Sequence, residues 1–472
     1  MTFSHNPDKY PHQTGWRAYQ EYLRRNQKQV DKIRLRRLCQ RLILGGMVAL
    51  MVVLVGKVFF TDKEKAPAPA VRIAEPAPAA PPAVPLSKTG QPKKLIQKSD
   101  VRIFLGNTRL TNVVEQPVEI SFDHRPYRVY TSLDLDLQQY LLKKMDRVNS
   151  RYIGIVTMQP DTGRLLTMAG FNKIDPDQDA CLRADYPAAS LFKIITAAAA
   201  IQEKGYTART RLKFNGYKHT LYKRQLTDRT NRYTNAISFK DSFAQSVNPV
   251  FGKIGALYLD QQALATFGDA FFFNRDVGFE LPWPTSHLEV GPDSYRRAEI
   301  ASGFNNQTTI SPLHGAVIVS AIVNNGKPAE PTLVDRIDDP SGRMVYQSSP
   351  RFLPPAVSPE TAEVLDQLMI ATVKKGTARK PFRGYSRDKV LSRLNVGGKT
   401  GSINNRTNDV RFDWFVGYAT EKKGSEKIVV SVVVAHEKYI GIRASQYGRM
   451  IIKRHFKDYF TKKSQTGTDS SS

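Results

Sequence analysis

Residues 190–203 read SLFKIITAAAAIQE and directly follow Pro187-Ala188-Ala189. The run predicts a helix, because alanine and long unbranched side chains favour helix and Lys204-Gly205 supplies a stop signal. Ser190 and Lys193 stand three residues apart, so their side chains project from one face of this helix. A lysine in that position can take the proton of the serine hydroxyl if its amine is neutral. The stretch therefore predicts a serine nucleophile paired with a lysine base.

A neutral Lys193 requires a pKa far below the ordinary lysine value of about 10.4. Function near pH 7 needs a fall of about three pH units, which burial or a second cation can supply. The dipole of the predicted helix also favours negative charge that develops at Ser190. The other S-x-x-K match in the chain, Ser386 to Lys389, lies in a polar loop. We expect no function there.

Two further motifs follow in a characteristic order. Ser246-Val247-Asn248 falls in a predicted helical region at 241–257, and Lys399-Thr400-Gly401-Ser402 enters a strand-rich stretch. The order S-x-x-K, S-x-N, K-T-G is the signature of β-lactamases and penicillin-binding proteins. A second K-T-G begins at Lys88, and a second S-x-N begins at Ser402. Only the first assignment keeps this order with every member in ordered structure.

The hydrophobic pattern around these motifs predicts mixed α and β structure. Residues 152–158 and 164–169 flank a Pro-Asp-Thr-Gly turn and predict a hairpin. The apolar stretch 314–323 ends in Asn-Asn-Gly. Strands are predicted from 396 onward and at 413–419 and 428–436. Strands at both ends with helices between them indicate an antiparallel sheet closed by distant segments, which is an α+β fold.

From about residue 129 to 460 the chain resembles the transpeptidase domain of penicillin-binding proteins. The similar stretches follow the order of the family: VYTSLDLDLQQYL (129–141), GIVTMQPDTGRLLTMAG (154–170), FAQSVNPVFGKIGALYL (243–259), TISPLHGAVIVSAIVNNGKPAEPTLV (309–334), KKGTARKPF (374–382) and DWFVGYA (413–419). The sequence departs from the family at Ala188-Ala189, where Pro-Gly is common, at Ser402, where Thr is common, and at Gly303-Phe304, where Gly-Gln is usual. The resemblance implies a serine β-lactamase-like fold, an antiparallel sheet flanked by helices with an all-helical subdomain.

The resemblance also implies a role for each motif residue. Ser190 would attack a D-Ala–D-Ala stem peptide, with Lys193 as its base. Ser246 would pass the proton to the leaving amine, and Asn248 would hold Lys193 and the substrate amide. The backbone N–H groups of Ser190 and Ser402 would form the oxyanion hole.

The third motif is implied to bind the substrate's carboxylate. Lys399 would supply positive charge and lower the pKa of Lys193. The hydroxyls of Thr400 and Ser402 would bind the carboxylate, and Gly401 would let substrate lie against the strand. These roles make the protein a serine-type peptidoglycan D,D-transpeptidase, acting on stem peptides and inhibited covalently by β-lactams.

Several alternatives use the same residues. Carboxypeptidase or endopeptidase activity needs only water in place of the amine, and a non-enzymatic β-lactam sensor or scaffold needs only binding. A β-lactamase is disfavoured because no E-x-x-L-N-like stretch occurs between Ser246 and Lys399. His436-Glu437 is half of a metalloprotease motif without a second histidine four residues on, so we expect neither a metal nor a cofactor.

The N-terminal region predicts a membrane anchor. Residues 42–60 (LILGGMVALMVVLVGKVFF) carry one charge and would span about 28 Å as a helix. The basic residues before them place 1–41 in the cytoplasm and the rest outside, as a single-pass protein of the bacterial inner membrane with a periplasmic catalytic domain. We expect residues 61–94 to form an Ala/Pro-rich stalk, 95–127 a small extension with a strand-like VRIFL run, 128–462 the transpeptidase domain and 463–472 a disordered tail.

Charge and length limit the partners. The 472 residues carry a formal net charge of +27, and outside the cytoplasm an anionic cell envelope is a better partner than nucleic acid. Two cysteines exclude a disulfide scaffold. Residues 61–128 leave no room for a glycosyltransferase domain, so we expect a separate glycosyltransferase partner.

Overall fold

The structure, a computed structural model, describes residues 96–468 and contains both helices and antiparallel strands. The strands are β1 (Val118–Phe122), β2 (Arg125–Thr131), β3 (Ser150–Met158), β4 (Leu165–Asn172), β5 (Tyr186–Pro187), β6 (Arg211–Phe214), β7 (Asn235–Ser238), β8 (Thr309–Ile310), β9 (Val334–Asp338), β10 (Met344–Gln347), β11 (Leu394–Asn404), β12 (Arg411–Glu421) and β13 (Lys427–His436). The α-helices are α1 (Lys98–Leu105), α2 (Leu135–Lys144), α3 (Lys193–Lys204), α4 (Phe239–Ala244), α5 (Asn248–Lys253), α6 (Gln261–Ala270), α7 (Ser294–Ser302), α8 (Pro312–Val323), α9 (Pro359–Lys374) and α10 (Ala444–Thr468). This content confirms the α+β class.

A five-stranded antiparallel sheet has the order β11-β12-β13-β3-β4. The predicted hairpin is the β3–β4 pair, and the three predicted C-terminal strands are β11, β12 and β13. Strand β13 joins the two ends of the domain, because Val432 pairs with Ile155 of β3. The prediction of a sheet closed by distant segments is confirmed.

Helices cover both faces of this sheet, so its inner strands are almost wholly buried. Successive residues of β13 point to opposite faces. Val430 and Val432 pack in one core cluster with Tyr447 of α10. Val429 and Val433 pack in the other cluster, which contains residues of α3 and α8.

Helix α3 corresponds to the predicted helix at 190–203, and its first turn differs from the prediction. Residues Ala189–Phe192 form a 3-10 turn, and the α-helix begins at Lys193. All eight residues from 193 to 200 are buried, which the small alanine side chains allow. Gly205 ends the helix in the left-handed conformation, with φ 65°. The Ser-Lys pair therefore lies at the junction of two helix types inside the core.

The predicted small extension at 95–127 differs from the structure in two respects. The strand prediction for VRIFL is wrong, because these residues belong to α1, in which Val101, Phe104 and Leu105 are buried at helical spacing. A second antiparallel sheet has the order β1-β2-β9-β10. The expected boundary between 127 and 128 lies inside β2, so the extension shares a sheet with the main domain.

The C-terminal helix α10 continues through Thr468. It thus occupies six residues of the stretch 463–472 that we expected to be disordered, and that expectation is wrong for them. Within 96–468, no helix is both long and apolar enough to cross a membrane. The predicted anchor at 42–60, the segment 1–41 and the stalk at 61–94 lie outside the described residues, and they stay predictions.

Candidate active site

Ser190 and Lys193 are in direct contact, with Ser190 Oγ 2.8 Å from Lys193 Nζ. The residue before the serine, Ala189, has a positive φ of 49°. Gly303 packs against this turn so closely that a Cβ on it would stand 1.8 Å from the Ala189 carbonyl oxygen. The absence of a side chain at Gly303 thus allows the serine turn to take its position.

Lys193 is fully buried and is held from three directions. Besides its contact with Ser190, its amine donates to Asn248 Oδ1 at 2.8 Å and to the carbonyl oxygen of Ser302. Burial lowers the pKa of Lys193 well below its ordinary value, and the nearby charge of Lys399 lowers it further. A neutral amine has two N–H bonds, and Asn248 and Ser302 can accept both. Its lone pair is then left for the Ser190 hydroxyl proton.

Ser246 and Asn248 lie at a break between two short helices. The predicted continuous helix at 241–257 is wrong, because α4 ends at Ala244 and α5 begins at Asn248. Pro249 in the first turn of α5 explains the break, since proline is tolerated there but inside a continuous helix would remove a hydrogen bond and clash with the preceding turn. Ser246 lies in the break with φ 54°, and its hydroxyl is 3.0 Å from Lys399 Nζ.

Lys399 lies in β11, the edge strand next to this break, and is fully buried. Its amine donates to Ser246 Oγ and to the Thr400 carbonyl oxygen at 2.8 Å. Burial lowers the pKa of Lys399 to about 7. The Thr400 hydroxyl contacts Thr377 Oγ1 at 2.5 Å. Two lysines are thus buried at one site, and the charge of Lys399 favours loss of the proton of Lys193.

Gly401 lies beside the serine turn, a contact that the resemblance did not imply. A Cβ on Gly401 would stand 3.3 Å from both Ser190 N and the Ala189 Cβ. The glycine therefore lets β11 lie against the serine turn, and its implied role of letting substrate lie against the strand stays a prediction. This close approach places Ser402 beside the serine.

An open cleft of about 800 Å³ lies above these groups. Six of the eight predicted site residues line it: Ser190, Ser246, Asn248, Thr400, Gly401 and Ser402. The other two, Lys193 and Lys399, are buried and contact cleft-lining hydroxyls. The structure thus brings all eight residues together. Phe304, one of the departures from the family pattern, is also part of the wall and is 43% exposed.

Six residues that line the cleft are not among the predicted site residues: His219, Thr377, Lys380, Arg411, Asp413 and Arg443. Two of them, Thr377 and Lys380, lie in the KKGTARKPF stretch that resembles the family, so a signal was present. Thr377 N donates to the Ala244 carbonyl oxygen at 3.0 Å, which ties this loop to the break that holds Ser246. Within residues 96–468, no group of three or more His, Cys, Asp and Glu side chains has an arrangement that could hold a metal ion.

A serine hydroxyl against a buried lysine, with a second serine and lysine beside it, defines a site for acyl transfer through a serine ester. The sequence comparison agrees with that class. The family model for the penicillin binding protein transpeptidase domain matches residues 153–458. The chain belongs to this family.

Individual relatives are distant. The chain is 25% identical over 324 residues to the peptidoglycan D,D-transpeptidase PbpA of Mycolicibacterium smegmatis, covering 59% of this chain and 61% of the relative. It is 24% identical over 294 residues to stage V sporulation protein D of Bacillus subtilis, covering 57% of this chain and 43% of the relative. The chain thus spans less than two thirds of the length of either protein.

Solved structures share the fold. The D,D-transpeptidase domain of a peptidoglycan glycosyltransferase from Eggerthella lenta superposes with a TM-score of 0.58 at 22% identity, covering 70% of this chain and 83% of that one. Penicillin-binding protein A from M. tuberculosis, as its imipenem acyl-enzyme complex, gives a TM-score of 0.56 at 22% identity, covering 70% and 80%. The likeness extends over most of the described residues.

Proposed function

We propose that the protein is a peptidoglycan D,D-transpeptidase that cross-links stem peptides through an acyl-enzyme on Ser190. The observation that carries this proposal is the 2.8 Å contact between Ser190 Oγ and the buried Lys193 Nζ. The family, and a relative named for this activity, support the same reaction. The proposed catalytic residues are Ser190, Lys193 and Ser246.

In the first half of the reaction, Lys193 Nζ takes the Ser190 hydroxyl proton. The Ser190 oxygen attacks the carbonyl carbon of the penultimate D-alanine, and the backbone N–H groups of Ser190 and Ser402 stabilise the oxyanion. The bond to the terminal D-alanine nitrogen then breaks. Ser246 donates its hydroxyl proton to that nitrogen, and the proton that Lys193 took replaces it, so that free D-alanine leaves and an ester remains on Ser190 with both lysines at their starting charge.

Substrate binding falls to the other motif residues. Lys399, when protonated, attracts the terminal carboxylate, and the hydroxyls of Thr400 and Ser402 bind it. Asn248 bonds to Lys193 through Oδ1, and its amide nitrogen is available for the carbonyl oxygen of the donor peptide. These four are the proposed substrate-binding residues, together with Gly401, which sets the distance between β11 and the serine.

In the second half, an amine of a neighbouring stem peptide attacks the ester carbonyl. That amine loses a proton, Ser190 regains one, and the new amide bond is the cross-link. A β-lactam enters the same first half and stays attached to Ser190. Acyl-enzyme complexes of a structural neighbour with imipenem support this proposed inhibition.

The same proposal places the enzyme in the bacterial inner membrane. Residues 42–60 would be its single transmembrane helix, 1–41 a cytoplasmic segment, and 61–94 a stalk whose Ala/Pro-rich part, 66–85, would reach about 60 Å. A separate glycosyltransferase would supply the glycan polymer.

Product analysis tests the proposed activity. Purified protein alone is expected to leave lipid-linked disaccharide-pentapeptide unpolymerised. After a polymerase is added, D-alanine release and cross-linked peptides are expected to appear together, and penicillin should block both. D-alanine release without cross-links would instead make the protein a carboxypeptidase, and glycan strands made by the protein alone would refute the proposed partner.

A further inference from the structure

The catalytic cleft continues beyond Ser402 to a basic end. Arg411 is the first residue of β12, and its Nη2 donates to Ser402 Oγ at 3.2 Å. Arg443 lies just before α10 and lines the same cleft. Both side chains are exposed, and that of Arg443 is 44% accessible. Two guanidinium groups thus border the cleft where the Lys399 motif ends.

A fixed carboxylate lies close to Arg443. Asp413 is two residues after Arg411 in β12, so both side chains point to the same face of the sheet. Its carboxylate accepts from Ala444 N at 3.1 Å, and Arg443 Nη1 lies 3.9 Å away. Asp413 is therefore anchored to the start of α10, and the arginine beside it keeps most of its five N–H donors for another acceptor.

The charges at this end do not cancel. Lys380, Arg411 and Arg443 line the cleft, and the single carboxylate in its lining is that of Asp413. In the part of the chain from 96 to 468, no acidic side chain lies within 4 Å of the Arg411 or Lys380 charge, and Asp413 is the one beside Arg443. The terminal carboxylate of a substrate, bound by Lys399, Thr400 and Ser402, would leave this excess of positive charge unneutralised.

The size of the cleft also favours a binding site beyond that for the terminal dipeptide. A volume of about 800 Å³ exceeds what a terminal dipeptide fills, so the preceding residues of a donor peptide have room beside it. Guanidinium groups bind carboxylates through paired, charge-assisted hydrogen bonds. The group that fits the basic end is therefore a carboxylate.

We propose that Arg411 and Arg443 form a subsite for a second carboxylate of the donor peptide, upstream of its terminal D-Ala–D-Ala. This inference rests on the proposed function and deepens it. The enzyme would select stem peptides that bear a free carboxylate over those in which that group is amidated.

Two matched cephalosporins test the subsite. Both carry the carboxylate of the cephalosporin ring. The acyl side chain of one ends in the free carboxylate of an adipoyl group, and that of the other ends in the corresponding carboxamide. Second-order acylation rates are measured by competition with a fluorescent penicillin. The wild-type protein is expected to prefer the acid by about tenfold or more, as for a charge-assisted contact. The preference should fall in R411Q and in R443Q, and approach unity in the double variant.

R406Q is the control, because Arg406 is exposed in the β11–β12 turn and does not line the cleft. It should keep the wild-type preference. The rate with the carboxamide reports whether each variant still has an intact serine site. Equal rates for the two probes in the wild-type protein, or an unchanged preference in the double variant, would overturn the subsite alone. Failure of both probes to acylate the folded protein would overturn the proposed function as well.

Discussion

Lys399 Nζ lies 3.0 Å from Ser246 Oγ, although the two residues are 153 positions apart in the chain. This contact joins the edge strand β11 to the break between α4 and α5. On the other side of the break, Asn248 holds Lys193. The two lysines are therefore held by residues two positions apart in one break, and the charge of Lys399 lowers the pKa of Lys193.

Covalent labelling should depend on Ser190. A fluorescent penicillin is expected to acylate the wild-type protein, and S190A should abolish labelling because no other hydroxyl is in contact with Lys193 among the described residues. The control is S386A, which removes the serine of the second S-x-x-K match and should label normally. Labelling of S190A on a denaturing gel would refute the nucleophile.

Replacing Lys193 by arginine tests whether its neutral amine acts as the base. K193R keeps a positive charge but cannot accept a proton, since arginine stays protonated. Loss of a general base should lower the acylation rate by about a hundredfold or more. Stopped-flow or competition labelling would measure this, and unfolding in urea would show whether the fold is retained. A near-normal rate in a folded variant would mean that Lys193 acts only through its charge.

The acylation rate should be bell-shaped in pH. Lys193 must be neutral to act as a base, so the rate falls as the pH drops below its lowered pKa. Lys399 must be charged to attract a carboxylate, and burial lowers its pKa to about 7, so the rate falls again as the pH rises above about 7. Rates of penicillin acylation at successive pH values would measure both limbs, with the alkaline limb expected near pH 7.

The variant K399R tests whether the alkaline limb of this pH profile belongs to Lys399. Arginine keeps its charge across the range, so the alkaline limb should disappear while the acid limb remains. An alkaline limb that persists in K399R would assign the titration to another group.

Gly303 should be far more sensitive to alanine than another glycine of the same conformation. Gly303 and Gly205 have φ of 64° and 65°, but a Cβ on Gly303 would clash with the Ala189 carbonyl oxygen, whereas nothing lies within 4 Å of one on Gly205. G205A should cost about 1 kcal/mol of unfolding free energy through backbone strain alone. G303A should cost more and should also slow acylation, because it displaces the serine turn. Urea unfolding and penicillin labelling of both variants measure the difference, and equal effects would contradict it.

Sequence patterns predicted the parts of the fold that depend on long, regular periodicity. The buried helix after Ser190 and the strands that pair in the central sheet are such parts. The short run Val101–Leu105 was misassigned, because its apolar residues suit a strand as well as one face of a helix. The helix at 241–257 was predicted too long, although Pro249 marked the break.

The motif residues could be predicted because their chemistry and order are characteristic, whereas their neighbours could not. Arg411 follows a polar turn, where a basic side chain usually points to solvent. Its contact with Ser402 depends on the pairing of β11 with β12, which places Ser402 opposite Asp413. The Ser302 carbonyl oxygen that holds Lys193 leaves no trace in the sequence, since any residue has one.

Because β3 pairs with β13, the central sheet of this domain cannot be completed until the C-terminal strands have been synthesised. Until residues 427–436 leave the ribosome and reach the sheet, β3 offers a long apolar edge with no partner on that side. Such edges recruit other chains, and contacts so remote in sequence form slowly. Chains truncated before β11 are therefore expected to aggregate rather than to accumulate as smaller folded units, and they would lack Lys399 altogether.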